Sequence, residues 1–89
     1  MLNQVVLVGR IKELDGDTMI IAIPRSYKNE DGEYDTDYIR IEMNSDNLRD
    51  NINAHCSIGD LVGVKGALRT SDMMYVIAEK VTFLSSKKQ

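Results

Sequence analysis

The sequence predicts an all-β domain, a five-stranded Greek-key barrel with one short helix between the third and fourth strands. Three observations predict it. Apolar and polar residues alternate with period two over five separate segments, the mark of half-buried strands. The alternation lapses once, where Leu48, Ile52 and Cys56 recur every fourth residue as one stripe of a short helix. Turn residues separate the segments, above all Asp15-Gly16, Asp31-Gly32 and Ser71-Asp72. Three strands, a helix and two strands is the order of a five-stranded Greek-key barrel. Alternation alone does not prove closure, and a small open α+β sandwich would give the same string.

In the first strand Val5, Leu7, Gly9 and Ile11 share one face, and Val6, Val8, Arg10 and Lys12 the other. Residues 13–17 read as a turn with Asp15-Gly16 at its tip. In the second strand Met19, Ile21 and Ile23 oppose Thr18, Ile20 and Ala22. Pro24, which has no ladder donor, is expected to end or edge it. Residues 28–37 read as a polar hairpin loop. The third strand sets Ile39, Ile41 and Met43 against Tyr38, Arg40, Glu42 and Asn44. Ser45 or Asp46 is expected to cap the helix, and Gly59 lies just past its end. In the fourth strand, residues 61–70, Val62, Val64, Gly66 and Leu68 alternate with Lys65, Ala67 and Arg69. The last strand, residues 73–84, alternates poorly, as a bulge or two covered faces would make it. Residues 85–89 read as a short basic tail after a domain spanning 1–84.

Eighty-nine residues make one domain. So short a chain buries a modest core, which favours self-association. A single cysteine, Cys56, allows no intramolecular disulfide and fits a reducing, cytoplasmic setting. No apolar run is long enough to span a membrane, and residues 5–8 are too few for a signal-peptide core. The net charge of −3 argues against a polyanion ligand unless the charges are segregated. They are. Glu13, Asp15 and Asp17 fall in the first turn, and Glu30, Asp31, Glu33, Asp35 and Asp37 in the second; the strand-borne cations lie elsewhere.

Met1-Leu2-Asn3-Gln4-Val5-Val6-Leu7-Val8-Gly9-Arg10-Ile11 resembles the opening of bacterial and phage single-stranded DNA-binding proteins. The resemblance continues through Ile21-Ala22-Ile23 with Arg25 and Tyr27, Asn29-Glu30-Asp31-Gly32, and Asp37-Tyr38-Ile39. It extends through Gly59-Asp60-Leu61-Val62-Gly63-Val64-Lys65-Gly66 and on to Tyr75-Val76 and Val81-Thr82-Phe83-Leu84. It implies an OB-fold barrel that binds single strands without catalysis, metal or cofactor, in replication, recombination or repair. It also implies a homodimer or homotetramer assembled through the first strand, with Asn3, Gln4, Val5, Val6 and Val8 as the dimer edge. Three features depart from the family pattern. There is no tryptophan, Asn44 standing where one would sit; the last hairpin loop is only Ser71-Asp72; and no acidic recruiting tail follows Ser85. A tail-less barrel of this kind is also similar to the primosomal replication protein B group.

Sequence-independent binding of a single strand needs cations along the backbone and flat rings on which bases stack. The candidate cations are Arg10, Lys12, Arg25, Arg40, Lys65 and Arg69; the candidate rings are Tyr27, Tyr38 and Tyr75. Tyr38 ranks first because it shares a strand face with Arg40. Tyr34, between Glu33 and Asp35, is a poor phosphate neighbour, and Phe83 reads as core. Glu42 would weaken the groove unless it pairs with Arg40 or Lys65. The expected ligand is single-stranded DNA, with RNA as the other polymer the same chemistry would hold. The competing reading is a protein-interaction module that has kept the barrel and lost affinity. Enzyme readings fail: His55 and Cys56 are adjacent on a helix and so point apart, and no G-K-[ST] follows the glycines.

Overall fold

Residues 3–86 are described by a computed structural model of the chain. β1 (Val5–Asp15) and β2 (Thr18–Lys28) form a hairpin whose turn is Gly16-Asp17 alone. The predicted turn over residues 13–17 is shorter than expected because Leu14 packs against the core and pairs with Met19, which keeps both strands extended. β3 (Tyr34–Glu42) pairs with β2, and the loop between them shrinks from residues 28–37 to 29–33. Asn29 tightens it. Its Oδ1 accepts the Asp31 and Glu33 N–H groups at 2.9 and 3.0 Å, and its Nδ2 donates to Asp35 at 3.0 Å.

Pro24 does not end β2. It pairs with Thr36, but β1 has already left β2 beyond Ala22, so Pro24 lies on a one-sided stretch. The β2–β3 register then slips between Pro24 and Lys28. A missing N–H is tolerated at such an edge.

α1 (Asp46–His55) is capped by Ser45, whose Oγ accepts the Leu48 N–H at 3.4 Å. It covers one end of the barrel. Ile52 and Cys56 enter the core, and the Asn53 amide donates to the Gly16 carbonyl at 2.9 Å, tying the helix to the first turn. His55 is exposed where Cys56 is buried, as adjacent positions require.

β4 (Leu61–Thr70) and β5 (Met74–Ser85) form the last hairpin. β4 pairs with residues 5–10 of β1, β5 runs parallel to the end of β3, and the strands close in the order β1-β2-β3-β5-β4. β1 thus serves two neighbours, its second half pairing with β2, with Lys12 bulged between the Ile11 and Glu13 pairs. Two irregularities in β5 leave Glu79 and Leu84 without opposite residues on β4, which explains the blurred alternation.

Three expectations are corrected here. Phe83 is 50% exposed rather than core, since the irregularity at Leu84 breaks the inward–outward rhythm and both side chains lie outside the barrel. Ser85, assigned to the tail, completes β5. Ser86 of the predicted tail is exposed and irregular, and Lys87, Lys88 and Gln89 lie outside the described residues, as do Met1 and Leu2. Ala67, placed on the polar face of β4, is buried.

The core follows the faces predicted for the first four strands, with Ile11, Met19, Ile21, Ile41, Met43, Val62 and Val64 almost wholly buried, and Val76 of β5 joins them. Among the described residues no helix is long and apolar enough to cross a membrane.

Candidate nucleic-acid interface

Outward residues of β1, β2 and β3 stand in register. Arg10 lies across from Ala22, and Ala22 across from Tyr38; Ile20 lies across from Arg40. At Gly9 the two strands nearly touch: a Cβ there would sit 2.7 Å from the Ala22 carbonyl oxygen. Beyond that crossing the chains diverge and leave an open cavity of about 400 Å3, lined by Val8, Arg10, Ala22, Pro24, Thr36 and Tyr38 among others. A second cavity, about 130 Å3, opens at the barrel end opposite α1. Val5, Leu7, Leu68 and Val76 wall it, and Tyr38, Met74 and Tyr75 also line it. Tyr38 is therefore common to both.

Each of the two rings carries a cation. Lys12, at the β1 bulge, sets its Nζ 5.4 Å from the Tyr38 ring centroid. Arg40 sets its guanidinium carbon 4.7 Å from the centroid of Tyr75, which lies beside it because β3 and β5 run parallel there. Both distances are within cation–π range. Tyr38 stays 58% exposed with Lys12 over it, so ring area remains for a ligand. Arg40 also pairs with Glu42 at 3.1 Å, which offsets the negative charge anticipated on this face.

Arg10, Lys12, Tyr38, Arg40 and Tyr75 are thus brought together on one side of the barrel. Arg69 is nearby, directly across from Tyr75, with its guanidinium donating to the Leu68 carbonyl at 3.1 Å. Arg10 similarly donates to the Gly59 carbonyl at 3.0 Å. Three predicted residues lie apart. Lys65 is on the outer face of β4, across from Val6 and Lys80. Tyr27 is exposed on the β2–β3 arm. Arg25, on the same arm, is held by Asp37 through hydrogen bonds of 2.9 and 3.2 Å. That contact raises the Arg25 pKa and holds the Asp37 carboxyl below the ordinary carboxylate range. Tyr34 is exposed with Lys28 Nζ at 5.9 Å from its centroid.

Sequence reasoning missed Met74, which lines the second cavity.

The first strand shows the expected edge. Residues 5–9 of β1 pair with β4 alone, and Val6 and Val8 are 73% and 50% exposed. Asn3 prolongs this pairing by its side chain. Its Nδ2 donates to the Leu68 carbonyl at 3.0 Å, and its Oδ1 accepts the Leu68 N–H at 2.9 Å. Cys56 is buried, and burial followed by the nearby Asp60 charge pushes its thiol pKa up, away from the reactive thiolate.

A closed five-strand barrel with its helix between β3 and β4 defines an OB-fold. The sequence profile of the Single-strand binding protein family matches residues 2–82, and the chain belongs to that family. Membership sets it among non-enzymatic binding proteins. It is similar to Single-stranded DNA-binding protein B of Bacillus subtilis, with 31% identity covering 98% of this chain and 94% of the relative. It is also similar to Single-stranded DNA-binding protein 2 of Staphylococcus aureus, with 29% identity covering 98% of this chain and 75% of that protein. The first alignment runs over 108 positions against 89 residues here, so the relative carries segments within the match that this chain lacks. Among solved structures, the Plasmodium falciparum SSB complex with ssDNA superposes with a TM-score of 0.76 at 24% identity, covering 96% of each chain. A mitochondrial single-stranded DNA binding protein from S. cerevisiae gives a TM-score of 0.77 at 18% identity, covering 97% of this chain and 98% of that one. At these identities the likeness is one of fold.

Proposed function

We propose that this chain binds single-stranded DNA without regard to sequence, as a cytoplasmic accessory of replication, recombination or repair. The observation that carries the reading is Tyr38, an exposed ring under Lys12 that is shared by both cavities. A strand laid along this side would stack a base on Tyr38 and a second on Tyr75. Its phosphates would meet Lys12, Arg40, Arg10 and Arg69. Stacking tolerates any base, since every base has a π-face, and the cations read no sequence. Family membership and the ligands named for the relatives support the same reading.

The binding unit is a dimer or a higher assembly joined through β1. Support comes from the exposed Val6 and Val8 beside an edge that has no strand partner among the described residues.

Titration of labelled oligo(dT) at low and moderate salt tests the function. Binding should weaken steeply with salt. Tyr38→Ala should lower affinity by roughly 5- to 100-fold, the worth of one base–aromatic stack, and Tyr38→Phe should retain it. Oligo(rU) in the same titration sets RNA against DNA. One observation favours the second reading, a protein-interaction module. Two of the predicted cations, Arg25 and Arg40, already have carboxylate partners. Absence of binding to oligo(dT) even at low salt would establish that reading instead.

A further inference from the structure

We propose that Glu42 is a positioning residue: by holding Arg40 against the Tyr75 ring it keeps that cation and that ring engaged with each other, and a single strand engages Tyr38 and Lys12 first. The inference rests on the single-strand-binding reading and deepens it, assigning to that site a residue that acts through another.

The arrangement follows from strand register. Ile41 pairs with Val76, and Glu42 with Ile77, where β3 and β5 run parallel. Arg40 and Tyr75 stand one residue earlier on each strand and project side by side, the guanidinium carbon 4.7 Å from the ring centroid. Glu42 is two residues on from Arg40 and therefore on the same face. Its Oε2 accepts from the Arg40 Nη2 at 3.1 Å. The Glu42 backbone is paired on both sides, with Thr18 of β2 and Ile77 of β5, so the carboxylate hangs from a fixed point.

Tyr38 offers the contrast. Lys12 lies farther from its ring, at 5.4 Å, and makes no ion pair among the described residues. Tyr38 is exposed, whereas Tyr75 is half-buried. The two tyrosines are thus unequal platforms. One has a loosely held cation over an open ring; the other has a cation held by a ring and a carboxylate together. Each of those two contacts is worth a factor of roughly 1.5 to 5 in an equilibrium constant, and they act on the same guanidinium. A phosphate that takes Arg40 must displace the carboxylate, and drawing Arg40 away bares the Tyr75 ring. One displacement therefore releases both the cation and the platform.

The test must separate positioning from simple repulsion, because a carboxylate beside the groove also repels phosphate directly. Labelled oligo(dT) is titrated against the full chain as parent, Glu42→Gln, Arg40→Gln and the double variant. Glutamine keeps the shape of glutamate, and both positions lie outside the core. Acting through Arg40, Glu42→Gln should tighten binding by roughly 2- to 5-fold. The slope of log K against log salt should steepen by up to about 0.7, as for one freed phosphate contact. Both gains should vanish when Arg40 is already glutamine. Proton NMR of the free chain gives a second readout. The Tyr75 ring current should shift the Arg40 side-chain resonances upfield in the parent, and Glu42→Gln should return them toward ordinary values. An equal gain in the Arg40→Gln background, no gain at all, or unmoved Arg40 resonances would each overturn the positioning role while leaving the single-strand reading intact. Absence of any complex at low salt, with the parent and with Glu42→Gln alike, overturns that reading and the proposal with it.

Discussion

Arg25 shows how a cation on the appropriate strand can be withheld from a polyanion. Its guanidinium is held by Asp37. Because the folded Asp37 pKa is depressed, the pair is intact at neutral pH and dissolves only as pH falls through that lowered value. At any ordinary assay pH, then, Arg25 is already neutralised. Asp37→Asn should release it, with little cost to folding because both partners are exposed. Affinity for oligo(dT) should rise, and the slope of log K against log salt should steepen by about 0.7 for one added phosphate contact. An unchanged slope would mean that the β2–β3 arm lies outside the DNA path. Tyr38 and Arg40 were legible in the sequence because alternation alone puts them on one face. The Arg25–Asp37 pair was not, because it depends on hairpin register near a slip that no residue pattern announces. Nor was Met74, since periodicity cannot distinguish a cavity wall from open solvent.

At the scale of elements, two glycines of β4 that look alike in sequence part company. Gly66 sits where the β4–β5 register shifts, and a Cβ there would run into the Ile77 carbonyl oxygen. At Gly63 the nearest heavy atom to an added Cβ is 3.8 Å away, an ordinary contact. Gly66→Ala must therefore push the hairpin apart, at a cost of roughly 1–3 kcal/mol. For a chain of this size each kcal/mol lowers Tm by about 4–8 °C. Gly63→Ala should melt within a few degrees of the parent, and a thermal melt followed by circular dichroism compares the two. The strands and the helix were readable because each has one buried face, and burial imposes a period. Turn lengths were overestimated because polar residues such as Glu13 and Asp35 also fit exposed strand positions, and only the ladder decides between the two. The position of Phe83 was misjudged for a related reason. Hydrophobicity predicts burial only while the alternation is unbroken, and β5 breaks it twice.

For the molecule as a whole, charge and apolar surface are distributed unevenly. Most of the acids project from the first two hairpins, Arg10, Lys12, Arg40 and Arg69 lie on the groove side, and Val6 and Val8 present a separate apolar edge. Self-association through that edge predicts that Val6→Lys shifts the protein from an oligomer to a monomer in light scattering at micromolar concentration. It should do so without altering the far-ultraviolet spectrum, since Val6 is outside the core. A monomeric parent would remove β1 as an interface. The seam between β1 and β4, finished by the Asn3 side chain on Leu68, has a consequence in time. Each hairpin joins neighbours in the chain, whereas the Asn3–Leu68 contact joins residues 65 apart. Bringing such distant segments together costs loop entropy before any contact repays it, which makes the seam a late event in folding. Stopped-flow mixing should therefore find that Asn3→Ala hastens unfolding while leaving refolding almost unchanged. In kinetic terms Asn3 is a latch: it has little part in how quickly the ring assembles, and it sets how long the ring stays shut.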